Sequence, residues 1–523
     1  MSGSGALARA GLTLTAAFLV ARVLGWIRVV VIGTTFGLSR DLDAFFAAFA
    51  IPNLIYEIVA AGALASAVIP ILAGLRATGE VERAWRVAST ILSLMLVLLA
   101  GLGALAAIVA PLLVPLIAPG FTPDEQALTV ELTRVMLIGP VFLALGSVAT
   151  SVLNASGRFA ASAMAPIAYN LAMIAAAVTL APTLGIHSLA VGVVGGSFLH
   201  FAVQVVPMRR AGFRYAARVD LGDPQAREAL LLMVPRAIGL TAGQLTFVVA
   251  TMVASGLGAG AVAAFSIAFS VFQIPLGVIG IPMGIAAMPT LSAHLARGEV
   301  ERYVNLLTRS LRLLLWAVVP LTVLGIVVRQ EAAGLLFQYG RIDAAAVALV
   351  AAPLGVLLLG LASESAVNVI ARAFYAARNT LIPVAAAMVA VTVNCGLMVV
   401  LGPPFGLPGM SLGIVAGSWL EVALLVAILR RRVPGFAVAG LVRVGAGSVG
   451  AGLAAGAASW LALTALGGGI GPAPTAIGYL AALVAVAVVG GLVYLGASAA
   501  LRIPELATMI RLMSDAVRRP TRP

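Results

Sequence analysis

Stretches of about twenty apolar residues recur along this chain from end to end, and each is long enough to cross a bilayer core of roughly 30 Å as a helix. With 62% hydrophobic and 10% charged residues in 523, the chain lacks the charge to clothe a soluble surface of that size. Membrane barrel strands alternate in short segments, so long glycine-rich runs read as helices. The expected fold is an all-α polytopic membrane protein of about fourteen transmembrane helices. The spans are 7–35, 44–74, 84–117, 126–153, 160–182, 188–208 and 226–256, then 261–291, 303–328, 344–373, 380–402, 409–430, 439–466 and 475–501.

Several function classes drop out at once. The first apolar run contains Arg22 and continues too long for a cleaved signal peptide, so none is expected. Cys395 is the single cysteine, and His187, His200 and His294 are too scattered for a zinc motif. No P-loop, dinucleotide fingerprint or nucleophile elbow is present, so the chain is not expected to be an enzyme or to need a bound cofactor. The net charge is +13 and every basic side chain is arginine. That balance fits the excess of positive charge in cytoplasmic loops, and no nucleic-acid partner is expected.

The loop charges set a topology. Arg76, Arg83 and Arg86 follow the second span, and Arg209, Arg210, Arg214, Arg218 and Arg227 follow the sixth. Arg297 and Arg302 follow the eighth, and Arg430, Arg431 and Arg432 the twelfth. Most intervening loops are arginine-poor, with Asp41 and Asp43, Asp124 and Glu125, LGPPFGLPG and GGGIGPAPT; the loop with Arg329 and Arg341 is offset by Glu331 and Asp343. Both termini are therefore expected in the cytoplasm.

An internal repeat organises the chain further. IPILAGLRATGEVERAW after the second span matches MPTLSAHLARGEVERYV after the eighth, aligning Pro70 with Pro289 and Gly79–Arg83 with Gly298–Arg302. A weaker echo pairs LNASGRF around Arg158 with FYAARNT around Arg378. Repeats six helices apart in the same orientation imply two six-helix lobes related by a pseudo-two-fold axis along the membrane normal. The expected domains are 1–215 and 216–433 for the lobes, 434–501 for an additional helix pair, and 502–523 for a basic amphipathic tail on the inner surface.

Polar residues inside apolar spans mark the candidate site. An arginine at mid-bilayer costs at least about 2.5–3.5 kcal/mol, so it faces a water-filled cavity or a partner. Arg22 and Arg28 lie in the first span, about 120° apart around an ideal helix. Arginine's planar fork suits phosphate oxygens. Pro52 and Asn53 interrupt the second span, which also carries Glu57; Glu364 lies in the tenth. Each carboxylate either takes up a proton in a transport cycle or forms a helix-to-helix ion pair. Arg236 is a cavity residue or an interfacial anchor, and Asp43 suits a helix N-terminus. Asn170, Asn394, Gln244 and Gln273 read as interhelical hydrogen-bonding groups, and SVGAGLAAGAAS at Ser448–Ser459 as a close-packing face.

RVLGWIR, DAFFAAFAIPNL and AGALASAVIPIL within 22–72 resemble the MurJ/MviN family of lipid II flippases, of the multidrug/oligosaccharidyl-lipid/polysaccharide exporter superfamily. AFSIAFSVFQIPLGVIGIPMGIAAMPTLS, LFQYGRID and ARAFYAARNTLIPV extend the resemblance over almost the whole chain. It implies a central cavity between two lobes and a groove for the lipid tail on the final helix pair. It also implies alternating-access transfer of a polyprenyl-diphosphate peptidoglycan precursor (lipid II) from inner to outer leaflet of the bacterial inner membrane. Membrane potential or a Na+ or H+ gradient would drive it, and cell-wall synthesis proteins are partners to expect besides membrane lipids. The family's arginine pair maps onto Arg22 and Arg28, and its acidic residue onto Asp43. The chain departs from the family at Ser270, at Tyr56 with Glu57, and at Asn379, where members carry arginine, arginine and aspartate. Other readings are a flippase for another polyprenyl-linked glycan, a drug exporter, and a non-transporting cell-wall scaffold.

Overall fold

The computed structural model describes residues 3–59, 63–217, 219–465 and 475–518; the side chains at 3–16, 18, 63–67, 232, 234–242, 512–513 and 515–518 are not among those described. Arg218, most of GGGIGPAPT, the end of the basic tail and the Arg236 side chain therefore lie outside the described residues. The described residues form α-helices and one π-helical turn, with no strand.

Two compact units divide the chain, Met1–Ala263 and Ala264–Pro523. The first holds α1 (Gly3–Phe36), α2 (Arg40–Val59), α3 (Ala63–Ala77), α4 (Val81–Ile117), α5 (Pro123–Met136), α6 (Gly139–Ala155), α7 (Phe159–Thr179), α8 (Ala181–Leu184), α9 (His187–Arg210) and α10 (Pro224–Ser255). Here α1 lies on α7, α7 on α9 and α9 on α6, while α10 packs against α2, α3 and α4. Leu72, Ile91, Leu99, Val148 and Val152 are buried together where α3, α4 and α6 meet.

After α11 (Ala261–Pro275), which begins at the boundary, a π-helical turn (Leu276–Gly280) leads into α12 (Ile281–Ala296). Next come α13 (Val300–Val327), α14 (Arg329–Phe337), α15 (Ala344–Leu358), α16 (Leu361–Ala376) and α17 (Leu381–Arg432), then α18 (Ala439–Ala465), α19 (Ala476–Ala500) and α20 (Pro504–Arg518). The pair α18 and α19 packs on α13. Gly452 and Gly456, from the expected close-packing face, meet Val319 and Val323 of α13.

Eleven helical spans among the described residues are long and apolar enough to cross a membrane, or twelve when α15 and α16, bent by 46°, count as one. This is a multi-pass membrane protein. The number differs from fourteen mainly at two places. The described apolar part of α10 is only Gly243–Ser255. The expected spans 380–402 and 409–430 run together as α17, interrupted at Gly406 (φ 63°). The chain folds back there: a Cβ on Gly413 would stand 2.9 Å from Met398 N, and one on Gly417 2.9 Å from Ala390 O. Small residues four apart let the two halves of α17 approach backbone to backbone.

Prolines inside spans free a carbonyl four residues earlier, because proline has no N–H to donate. Pro111 frees Ala107 O, which accepts from Arg134 Nε at 3.0 Å. Pro320 frees Trp316 O, which accepts from the Tyr494 hydroxyl at 2.6 Å. In hydrocarbon an unpaired carbonyl costs several kcal/mol, so these side chains make the prolines tolerable.

The segment between α9 and α10 is laced to α4. Ser89 Oγ accepts from Ala216 N and Thr90 Oγ1 from Asp220 N, both at 3.2 Å. Arg83 then grips Asp223 through Nε at 2.8 Å and Nη2 at 3.2 Å, while Asp223 Oδ1 accepts from Gln225 N at the start of α10. The arginine holds the Asp223 carboxyl below the usual carboxylate range.

The repeated turns close in the same way. Glu80 N donates to Leu75 O at 2.8 Å, and Glu299 N to His294 O at 2.9 Å. Gly79 (φ 85°) and Gly298 (φ 71°) occupy the left-handed position that closes each helix. Glu80 pairs with Arg83 and Glu299 with Arg302, each at 3.0 Å. The weaker echo has the same closure, with Arg158 N on Leu153 O and Asn379 N on Phe374 O. Arg378, at φ 56°, thus stands opposite Gly157. Asn379 Oδ1 accepts from Ile382 N at 3.1 Å at the head of α17.

Because no atom lies within 4 Å of a Cβ built on Gly79 or Gly298, alanine there meets only backbone strain. Gly79→Ala and Gly298→Ala should each lower stability by about 1–2 kcal/mol. Thermal unfolding in detergent reads this, and a loss at only one of the two would break the equivalence.

Candidate functional site

On α1, Arg22 is exposed and Arg28 half-buried. The Arg28 guanidinium lies over the ring of Tyr169 on α7, 5.6 Å from its centroid. A cation over an aromatic face contributes about 0.5–2 kcal/mol, more as water is excluded. Asn170, the next residue, donates from Nδ2 to Ala21 O at 3.2 Å. Side chains of α7 thus hold α1 on either side of Gly25. Among the described residues no carboxylate lies within ion-pair distance of Arg28, so its charge is not cancelled by a fixed partner.

On α2, Asn53 Nδ2 donates to Gln244 Oε1 of α10 at 3.0 Å. Tyr56 and Ser147 of α6 share a hydroxyl hydrogen bond of 3.0 Å. Glu57 is half-buried beside them and makes no ion pair among the described residues. Arg236 falls on α10, its side chain outside the described ones.

Asp43 is fully buried in the first turn of α2. One carboxylate oxygen accepts from Gly260 N at 2.6 Å and the other from Ala263 N at 2.8 Å. Residues more than two hundred positions apart are thereby fixed, with the carboxylate serving the N-terminal turn of α11 rather than that of α2.

In the second unit Ser270 is half-buried, and its hydroxyl donates back to Ser266 O at 2.8 Å. Glu364 is half-buried at the start of α16. Arg372 lies two turns further along, crossing α12 at Gly284 and donating from Nη1 to Asn368 O at 3.0 Å. Glu421 of α17 is within electrostatic reach of Glu364. The geometry therefore joins Asn53 to Gln244 and Arg28 to Tyr169. No group of three or more metal-ligating side chains is placed to hold an ion among the described residues.

Sequence reasoning missed Tyr169, Arg372 and Glu421. The last two carry the signal used for Glu364, an ionisable group within an apolar run. Tyr169 had no such mark, since an aromatic residue in a membrane helix is unremarkable until a cation is found above it.

The family described as Lipid II flippase MurJ matches residues 32–471. A lipid II flippase MurJ of Burkholderia cenocepacia is 32% identical over 440 residues, 82% of this chain and 84% of that protein. A probable lipid II flippase MurJ of Rhizobium tropici is 29% identical over 429 residues, covering 80% of each chain. Among solved structures, a lipid II flippase MurJ in an inward closed conformation superposes with a TM-score of 0.77 at 20% identity, covering 93% of this chain and 98% of that one. An inward-facing multidrug resistance transporter of the MATE family reaches 0.62 at 18% identity, over 79% and 95% of the two chains. These two likenesses speak to the fold.

Asp43→Asn keeps the side chain's shape but turns an NH2 group toward a backbone N–H. Losing one charge-assisted bond and leaving that donor unpaired should cost about 1.5–3 kcal/mol. Thermal unfolding of the purified variant measures it, and an unchanged midpoint would show that the two bonds do not brace the fold.

Proposed function

The chain belongs to the lipid II flippase MurJ family, and from that premise we propose that it moves lipid II across the inner membrane of a bacterium by alternating access. The observation that carries the reading is Arg28, a half-buried arginine within an apolar span, held over Tyr169 with no carboxylate paired to it among the described residues. A positive charge kept at that depth without a fixed counter-ion suits an anion that arrives and leaves, such as a diphosphate.

In this reading Arg22 and Arg28 bind the diphosphate, the two amides at Asn53 and Gln244 contribute hydrogen bonds, and Asp43 braces the end of α2. Where the family resemblance implies an arginine, Ser270 turns its hydroxyl to its own helix, so α1 supplies more of the cationic charge. Membrane potential or a Na+ or H+ gradient drives the cycle. Glu57, Glu364 and Glu421 are the carboxylates available to a coupling proton, both termini face the cytoplasm, and cell-wall synthesis proteins receive the product.

The test is outer-leaflet accessibility of the lipid-linked precursor in cells that rely on this chain. Arg28→Ala should abolish accessibility while the protein stays folded and inserted. Arg28→Lys should restore only part of it, because the ammonium keeps the charge and loses the bidentate fork. Ser270→Arg should be tolerated. Full activity from Arg28→Ala would make the arginine structural and remove the cationic mechanism.

A further inference from the structure

A cleft of about 560 Å³ opens between α4 and α5, remote in sequence from the groups proposed to bind the diphosphate. Pro111 and Pro115 form one wall; Gln126, Val130, Glu131 and Arg134 form the other. The lining takes in the last turns of α4 and the first turns of α5, on either side of the short connection between them, so the cleft lies near one edge of the bilayer. Its depth follows from α4. The apolar run of this helix starts near Ile91, and about twenty helical residues cross the hydrocarbon core, which puts the far edge near Pro111. Phospholipid headgroups lie at that level.

The charges in the cleft are arranged for a ligand that carries both signs. Arg134 is anchored by its Nε on Ala107 O, the carbonyl that Pro111 leaves without a helical donor. Among the described residues its Nη atoms make no hydrogen bond. Glu131 is three residues earlier on the same helix, where opposite charges commonly pair. Here they do not: the Glu131 carboxylate instead lies 3.2 Å from His187 Nε2 and keeps a side-chain exposure of 64%. A guanidinium and a carboxylate therefore stand apart in one cleft. On the core side of Pro111, Leu105 and Ile108 are exposed apolar side chains of α4 at the level of acyl chains.

We propose that this cleft binds the headgroup of an aminophospholipid, with Arg134 on its phosphodiester, Glu131 on its primary ammonium, and its acyl chains along α4. A choline headgroup offers the same phosphate and a cation without N–H donors. An anionic headgroup that lacks an ammonium offers Glu131 no cation. The carboxylate thus selects among lipids, and the arginine holds any of them.

The experiment exchanges the purified full-length protein into nanodiscs with equal phosphatidylethanolamine and phosphatidylcholine, then counts retained lipid by native mass spectrometry. The wild-type chain should keep phosphatidylethanolamine over phosphatidylcholine by up to about fivefold, the size that an exposed ion pair supports. Glu131→Gln should bring the ratio to one with total phospholipid retention unchanged. Arg134→Gln should lower retention of both lipids. That variant also releases the Ala107 carbonyl, so the exposed Glu131 carries the decision. Equal retention by the wild-type chain, or a preference that survives Glu131→Gln, would overturn the proposal. So would displacement of both lipids by millimolar inorganic phosphate, which would mark a small-anion site, or preferential retention of a polyprenyl diphosphate.

Discussion

Water is absent from the bilayer core, so every backbone N–H and C=O at that depth must find its partner within the chain. The structure depends on how this constraint is met where helices break. At Pro111 and Pro320 the freed carbonyls are taken by Arg134 and Tyr494, side chains from other helices. At the head of α11 the unpaired N–H groups of Gly260 and Ala263 are taken by Asp43. Each repair ties two helices together, so the prolines and helix ends become points of attachment. Polar side chains in the spans are used first for this purpose, and a charge left over after such repairs stands out. Arg28, lying on an aromatic ring with no carboxylate beside it among the described residues, is such a charge.

Repetition is the second organising element. The turns at Gly79 and Gly298 share their backbone closure, their left-handed glycine and their glutamate–arginine pair. The two turns differ in what surrounds them. In the first unit Arg83 also grips Asp223 and so holds the segment that leads to α10. In the second, Glu299 is bound by His294, at 2.7 Å. The hydrogen bond from His294 contributes most to holding the Glu299 carboxyl below its usual range.

Much of this was legible from sequence, for physical reasons. Runs of apolar residues long enough for a bilayer leave few folds open, and the turn glycines announce helix ends, so helix positions and the repeat followed. Arg22 and Arg28 were legible because charge in hydrocarbon is costly. Partners were not. Asp43 looked like a cap for its own helix, and nothing local points to Gly260 and Ala263. Asn53 gave no hint of Gln244, nor Arg28 of Tyr169. The hairpin within α17 was readable as two spans around LGPPFGLPG, whereas the close contact of Gly413 and Gly417 with Met398 and Ala390 depends on a tertiary approach. Arg372 and Glu421 were visible in principle as ionisable groups within apolar runs.

Transport of lipid II by this chain is the step on which the rest depends. Replacing the resident flippase of a depletable bacterial strain with this chain measures that directly. Sustained growth is expected, with lipid II reaching the outer leaflet at a rate sufficient for wall synthesis. Lysis on depletion, with the protein present in the membrane and lipid II confined to the inner leaflet, would contradict it.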